Sequence, residues 1–165
     1  MNHKGNKNYR NTTARRIDID AIYNALRAAI KNRNRWQEEQ RKLWSIIKKT
    51  KANHKNEMDA ISRHIGEETH KINCLISQLC QYKRTHKAMN LAYEYLKREI
   101  ERLNEIIKRR REYAELVRAG KAYYQLDDGT MSTNPNTDRE YINQKMAQRS
   151  KLQNWLNYVS RYLVK

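Results

Sequence analysis

Four consecutive cations, Lys108 to Arg111, follow two isoleucines in the stretch NEIIKRRREY. Such a run grips a phosphate backbone or forms the solvated side of a helix. A denser concentration of charge lies earlier in the chain. Between Ile17 and Asn56 stand ten cations: Arg27, Lys31, Arg33, Arg35, Arg41, Lys42, Lys48, Lys49, Lys51 and Lys55. Only four acids, Asp18, Asp20, Glu38 and Glu39, accompany them. Arg27, Lys31 and Arg35 are spaced i,i+4, so on a helix they form one ridge. Residues 1–16 add Lys4, Lys7, Arg10, Arg15 and Arg16 and no acid.

The chemistry suited to these residues is phosphate contact. Lys and Arg release counterions from a nucleic acid and position it without reading its bases. Asn32, Asn34 and Gln37 are of types that hydrogen-bond bases. The expected nucleic-acid-binding set is Lys4, Lys7, Arg10, Arg15, Arg16, Arg27, Lys31, Arg35, Lys48, Lys49 and Lys51, with Lys108, Arg109 and Arg111 from the later run. Around that run Glu94, Glu99, Glu101, Glu105, Glu112 and Glu115 are interleaved. Taken alone, it reads more simply as a salt-bridged helix surface.

Other chemistry is poorly supported. His70 and Cys74 share a helix face, with His64 and Cys80 nearby, but zinc needs four converging ligands. His70 and Cys74 fall at outward positions, so no metal site is expected. Asp127 and Asp128 suit a turn better than a divalent cation. There is no P-loop, no GxSxG and no nucleophile–base set. The expectation is a protein that is not an enzyme, with no cofactor. Cys74 and Cys80 stand six positions apart, about 9 Å on a helix and too far to bridge. Free thiols fit a reducing compartment. The N-terminus lacks an apolar signal region, and no apolar run reaches the roughly 20 residues that span a bilayer. A cytoplasmic protein is expected.

The elements that carry these residues are helical. The chain has 165 residues, with 4 Gly and 1 Pro, too few for a turn-rich β fold. A first helix is expected over about 18–50, opened by Asp18. Its inward stripe runs Ile22, Leu26, Ala29, Trp36, Leu43 and Ile47, with Arg33 and Gln40 as polar members. A turn follows at Thr50 to Asn56. The second segment holds a heptad register through Met58, Ile61, Ile65, Glu68, Ile72, Leu75, Leu79, Tyr82, His86, Met89, Tyr93, Leu96, Ile100, Leu103 and Ile107. It continues through Ala114 and Val117 to a stop at Gly120. One helix over about 57–118 would be roughly 90 Å long. Arg110 falls on this seam and needs a carboxylate or carbonyl partner, or must snorkel to water. Glu68 and His86 interrupt it. Glu68 should meet a base of the first helix, Arg41 or Lys42, and His86 should be a hydrogen-bonded core or junction histidine. Residues 119–137 read as an irregular loop or short hairpin turning at Asp128-Gly129. A last helix over about 138–164 should be capped by Thr137 or Asp138.

Trp36, Tyr82, Tyr93 and Trp155 lie at core spacing or its edge. Tyr9, Tyr123 and Tyr124 suit base stacking and loop packing equally.

The expected fold is all-α: an elongated antiparallel helical bundle or coiled coil built on one long central helix. The alternative is a compact four-helix bundle, which would bury Ile76, Leu91, Tyr95 and Ile106 more easily. Residues 1–16 are expected to be a flexible basic arm and 17–165 a single helical domain.

The formal charge of +17 favours anionic partners. The expected function is a basic helical protein, accessory or regulatory, that binds DNA, RNA or a nucleoprotein through phosphates. Self-association through the heptad seam is a further expectation, and no membrane partner is expected. The alternatives are a coiled-coil structural or assembly protein, such as a virus component, and an inhibitor that docks on a nucleoprotein complex. By composition alone, viral accessory proteins and nucleoid- or ribosome-associated factors are comparable. Replacing the five arm cations by Ala should weaken nucleic-acid binding. It should also flatten the salt dependence by up to about one unit of log–log slope per lost phosphate contact. Binding measured across a salt series checks this, and an unchanged slope removes the arm from the site.

Overall fold

The computed structural model describes residues 6–50, 53–81 and 86–164, with the backbone alone for 6–20 and Val164. The protein is all-helical in character. Four helices are described: α1 (Asn6–Thr50), α2 (Lys55–Gln81), α3 (His86–Arg118) and α4 (Arg139–Val164). Two short strands, β1 (Tyr124–Gln125) and β2 (Met131–Ser132), lie between α3 and α4. The chain divides into two compact units, Met1–Ala92 and Tyr93–Lys165.

The helix expected to start near Asp18 begins at Asn6. No Pro or Gly stands between Asn6 and Thr50 to stop propagation, and each added residue gains one hydrogen bond. Helical backbone therefore covers residues 6–16, which the sequence reading assigned to a flexible arm. Residues 1–5 lie outside the described residues. Residues 57–118, read as one helix, fall on α2 and α3. Residues 82–85 lie outside the described residues.

In the first unit α1 and α2 pack antiparallel. Trp36 stacks on His64, with ring centroids 4.2 Å apart and planes 9° apart. Gln40 Nε2 donates to Ser62 Oγ at 3.5 Å. The expected α1 stripe faces inward. Leu26, Ala29 and Leu43 are buried, while Ile22, Trp36, Gln40 and Ile47 are half-buried. Opposite them Ile72, Ile76 and Leu79 are buried.

Two charged residues share this seam. Arg33 is 3% exposed and Glu68 9%. The register of the Trp36–His64 and Gln40–Ser62 contacts sets Arg33 opposite Glu68. The expected partners of Glu68 are corrected. Its Oε1 accepts from Lys71 Nζ at 3.2 Å, one turn along its own helix. Arg41 and Lys42 instead bond Glu38 at 3.1 Å and Glu39 at 3.5 Å. Those acids lie three residues away on the same helix, closer than any residue of α2 on that outward face. His86 is also corrected: it is exposed, at the start of α3.

In the second unit the seam continues through Leu96, Ile100, Leu103, Ile107 and Val117, all buried. Tyr95 and Glu99, off that seam, are buried as well, and in the first unit Ala88 and Ala92 are buried at the start of α3. The carboxylate of Glu99 takes two bonds from Arg102, at 2.6 and 3.1 Å, which satisfy a charge removed from water. Burial lowers the Arg102 pKa. The hydrogen bond and charge of Glu99 outweigh it, so the net shift is upward. After Leu103 the buried face narrows to one stripe.

α3 stops as the sequence implies. Gly120 has φ 72°, a conformation a side chain resists. Lys121 N–H reaches Leu116 O at 2.9 Å and Gly120 N–H reaches Val117 O at 3.0 Å, the paired bonds of a Schellman end. The short hairpin forms, with Tyr124 opposite Ser132 and Gln125 opposite Met131. Asp128 Oδ1 accepts from Thr130 N–H at 2.9 Å, and Gly129 supplies φ 84°. The Thr130 hydroxyl and then its N–H lower the Asp128 pKa.

The expected caps of α4 are not made. The Asp138 carboxylate goes to Arg110 at 2.9 Å, and the Thr137 hydroxyl donates to Asn134 O at 2.7 Å. A charged partner on α3 outbids the neutral N–H groups of the first turn. Leu103 is 1% exposed, so Leu103→Ala should cost about 2–5 kcal/mol in urea unfolding. Ile106→Ala, at a half-buried site, should cost clearly less. Equal losses would contradict the packing described.

Candidate nucleic-acid interface

The ridge on α1 is formed. Arg27, Lys31 and Arg35 are all exposed on one helix face. The two acids of α1 whose side chains are described, Glu38 and Glu39, are held by Arg41 and Lys42. Among the described residues, Arg27 and Lys31 have no hydrogen bond or ion pair. Arg35 has only the ring of its neighbour Trp36, 5.4 Å from the centroid. The ridge therefore carries uncompensated charge. At about 6 Å spacing, neighbouring cations repel by roughly 0.7 kcal/mol in water, which an anion would relieve.

Lys48 and Lys49 are exposed in the last turn of α1, where the helix dipole favours cations. Lys7, Arg10, Arg15 and Arg16 lie on the helical backbone of α1, and their side chains are outside the described residues. Lys4 and Lys51 lie outside them altogether. Asn32 and Asn34 are exposed, while Gln37 is half-buried.

The run that opened the sequence reading divides in the second unit. Arg110 turns to α4, with Asp138 at 2.9 Å and the Tyr141 ring 4.8 Å from its guanidinium carbon. Arg110 thus has a carboxylate partner, one of the outcomes its seam position allowed, while its side chain stays exposed. Arg109 pairs with Glu105 at 3.0 Å on its own helix. Arg111 points an Nη2 donor at Met146 Sδ, 3.1 Å away. Lys108 is exposed. Arg149 of α4 also crosses to Asn104 at 2.9 Å.

The loop aromatics separate. Tyr124 is buried at 7%, with its ring edge on Tyr113, 5.2 Å between centroids. Burial first, then the Asp138 charge and Tyr113, raise its pKa, against an opposing effect of Arg110. Tyr123 stays 53% exposed. The side chain of Tyr9 and all of Tyr82 lie outside the described residues.

Sequence reasoning passed over several residues. Trp44 and Ile46 are 51% and 47% exposed beside Lys48 and Lys49. Trp44 stands next to the seam residue Leu43, and that off-stripe position was its signal. Arg118 and Arg139 line an open groove in the second unit with Arg111. Arg118 lies seven residues from Arg111, two helical turns, so their shared face was legible. Arg139 was not, because its place depends on how α4 packs.

His70 Nε2 and Cys74 Sγ stand 3.6 Å apart, both residues exposed. Among the described residues no group of three or more metal-ligating side chains converges. Among the described residues, too, no helix is long and apolar enough to cross a membrane. Comparison with known proteins returned no match, whether to a family model, a curated protein or a solved structure.

Proposed function

We propose that this is a non-enzymatic, basic helical protein that binds nucleic acid or a ribonucleoprotein through phosphate contacts, in an accessory or regulatory role. The observation that carries the reading is the α1 ridge. Arg27 and Lys31 are exposed, and among the described residues neither has an acid partner, since no Glu or Asp stands within four residues of either. Exposed cations on a rigid helix suit a regular array of phosphates and need little reordering on binding.

A second reading, a coiled-coil structural or assembly protein, is favoured by a different observation. Tyr113, Leu116, Tyr123, Leu126 and Met131 are 38–67% exposed within one short stretch of chain. Apolar surface of that kind is common at protein contacts.

We also infer that the first turns of α3, which belong to the first unit, leave the line of α2. In the α1–α2 register Tyr23 stands opposite about residue 78. Lys87 Nζ nevertheless lies 4.4 Å from the Tyr23 ring centroid. A straight extension of α2 would carry Lys87 about 13 Å past that ring.

Two measurements test these readings. Size-exclusion chromatography with light scattering, at high salt and then at low salt with short DNA and RNA, should show salt-sensitive co-elution with one polymer. Replacing Arg27, Lys31 and Arg35 by Gln should lower the log–log salt slope by up to about three. A protein that ignores both polymers yet forms a defined oligomer would favour assembly. For the helix path, spin labels at Cys74 and at Asn90→Cys, with Cys80→Ser, should lie well inside the roughly 24 Å that a straight helix imposes. A distance near that value would restore the long helix.

A further inference from the structure

Resting on the nucleic-acid reading, we propose that the open groove between α3 and α4 of the second unit is a separate phosphate-binding site for a nucleic-acid strand. The groove has a volume of about 550 Å³, enough for a nucleotide unit. Arg111 and Arg118 line its α3 wall two turns apart, about 10 Å along the helix, and Arg139 lines the α4 wall.

The commitments of these guanidiniums differ. Arg118 is tied to Glu115. Arg111 meets only the thioether of Met146, a weak acceptor that leaves most of its donors available. Among the described residues, the Arg139 guanidinium has no hydrogen bond or ion pair. Of the two acids lining the groove, Glu115 is already held by Arg118, leaving Glu112. Two unsatisfied planar donors on opposite walls suit a phosphate, which accepts two parallel N–H bonds from each. Asn143 of α4 and Asn136 of the preceding loop add polar groups, while Ala114 of α3, Pro135 of the loop and Ile142 of α4 give the groove an apolar lining on which a sugar can rest.

The test uses the full chain and labelled single-stranded RNA and DNA, with anisotropy read over a salt series. The double variant Arg111→Gln/Arg139→Gln is compared with Lys151→Gln/Arg161→Gln, which removes the same charge from elsewhere on α4. Circular dichroism checks that each variant folds. The groove variant should lose about tenfold in affinity and up to about two units of log–log slope, against less than about threefold for the control. Equal losses in the two variants would overturn the groove site. The α1 ridge variant then separates the failures. If it alone loses binding, the groove falls and the nucleic-acid reading stands. If wild-type protein binds neither polymer, both fall. Inorganic phosphate titrated alone provides the last arm: Arg-dependent binding of phosphate without binding of either polymer would also overturn the site as proposed.

Discussion

The first unit depends on one constraint: a helix crowded with cations must still present a dry stripe to its neighbour. α1 meets it by keeping Leu26, Ala29 and Leu43 inward on 4-3 spacing and sending Arg27, Lys31 and Arg35 outward. The stripe is not wholly apolar. Arg33 and Glu68 are buried within it, at heights that the Trp36–His64 and Gln40–Ser62 contacts set level. A register slip by a turn would set either charge against aliphatic side chains, which costs several kcal/mol. The pair thus selects one alignment of α1 on α2. That alignment positions the ridge, the Trp36–His64 stack and the Gln40–Ser62 bond together.

The second unit uses charge differently. There the cations are spent on local structure. Arg110 bridges to Asp138, Arg102 satisfies the buried Glu99, and Arg109 pairs along its helix. The exposed pair Arg109–Glu105 adds little stability by itself, while Arg102 offsets the cost of burying Glu99. The pairs of Arg109 and Arg110 neutralise part of the basic run at 108–111, as a salt-bridged helix surface would. Part of the surplus that remains lies with Arg111 and Arg139, which line the groove.

Hydrogen-bond competition explains why the start of α4 departs from its sequence signature. Asp138 stands where a cap belongs, yet its carboxylate serves Arg110. Local rules assume that the side chain has no better offer. A guanidinium from another helix is one, and only the folded chain presents it. Glu68 shows the reverse: Lys71, one turn along its own helix, takes the place of the expected bases on α1.

The sequence by itself determined the helical class, the inward stripes, the Gly120 stop, the Asp128-Gly129 turn and the seam position of Arg110. Each follows from residue spacing or from the backbone freedom of one glycine, which act over a few residues. Other features were decided by tertiary structure. Ile76 and Tyr95, which lie off the heptad seam, are buried because the described helices offer a face wider than one stripe. Tyr124, on β1, is buried against Tyr113 while Tyr123, just before the strand, is exposed, and only packing selects which ring lies inside. Which cations stay uncompensated was also hidden in the sequence. Counting charges gives an excess, but pairing depends on where each side chain ends, and that is set by how the helices meet.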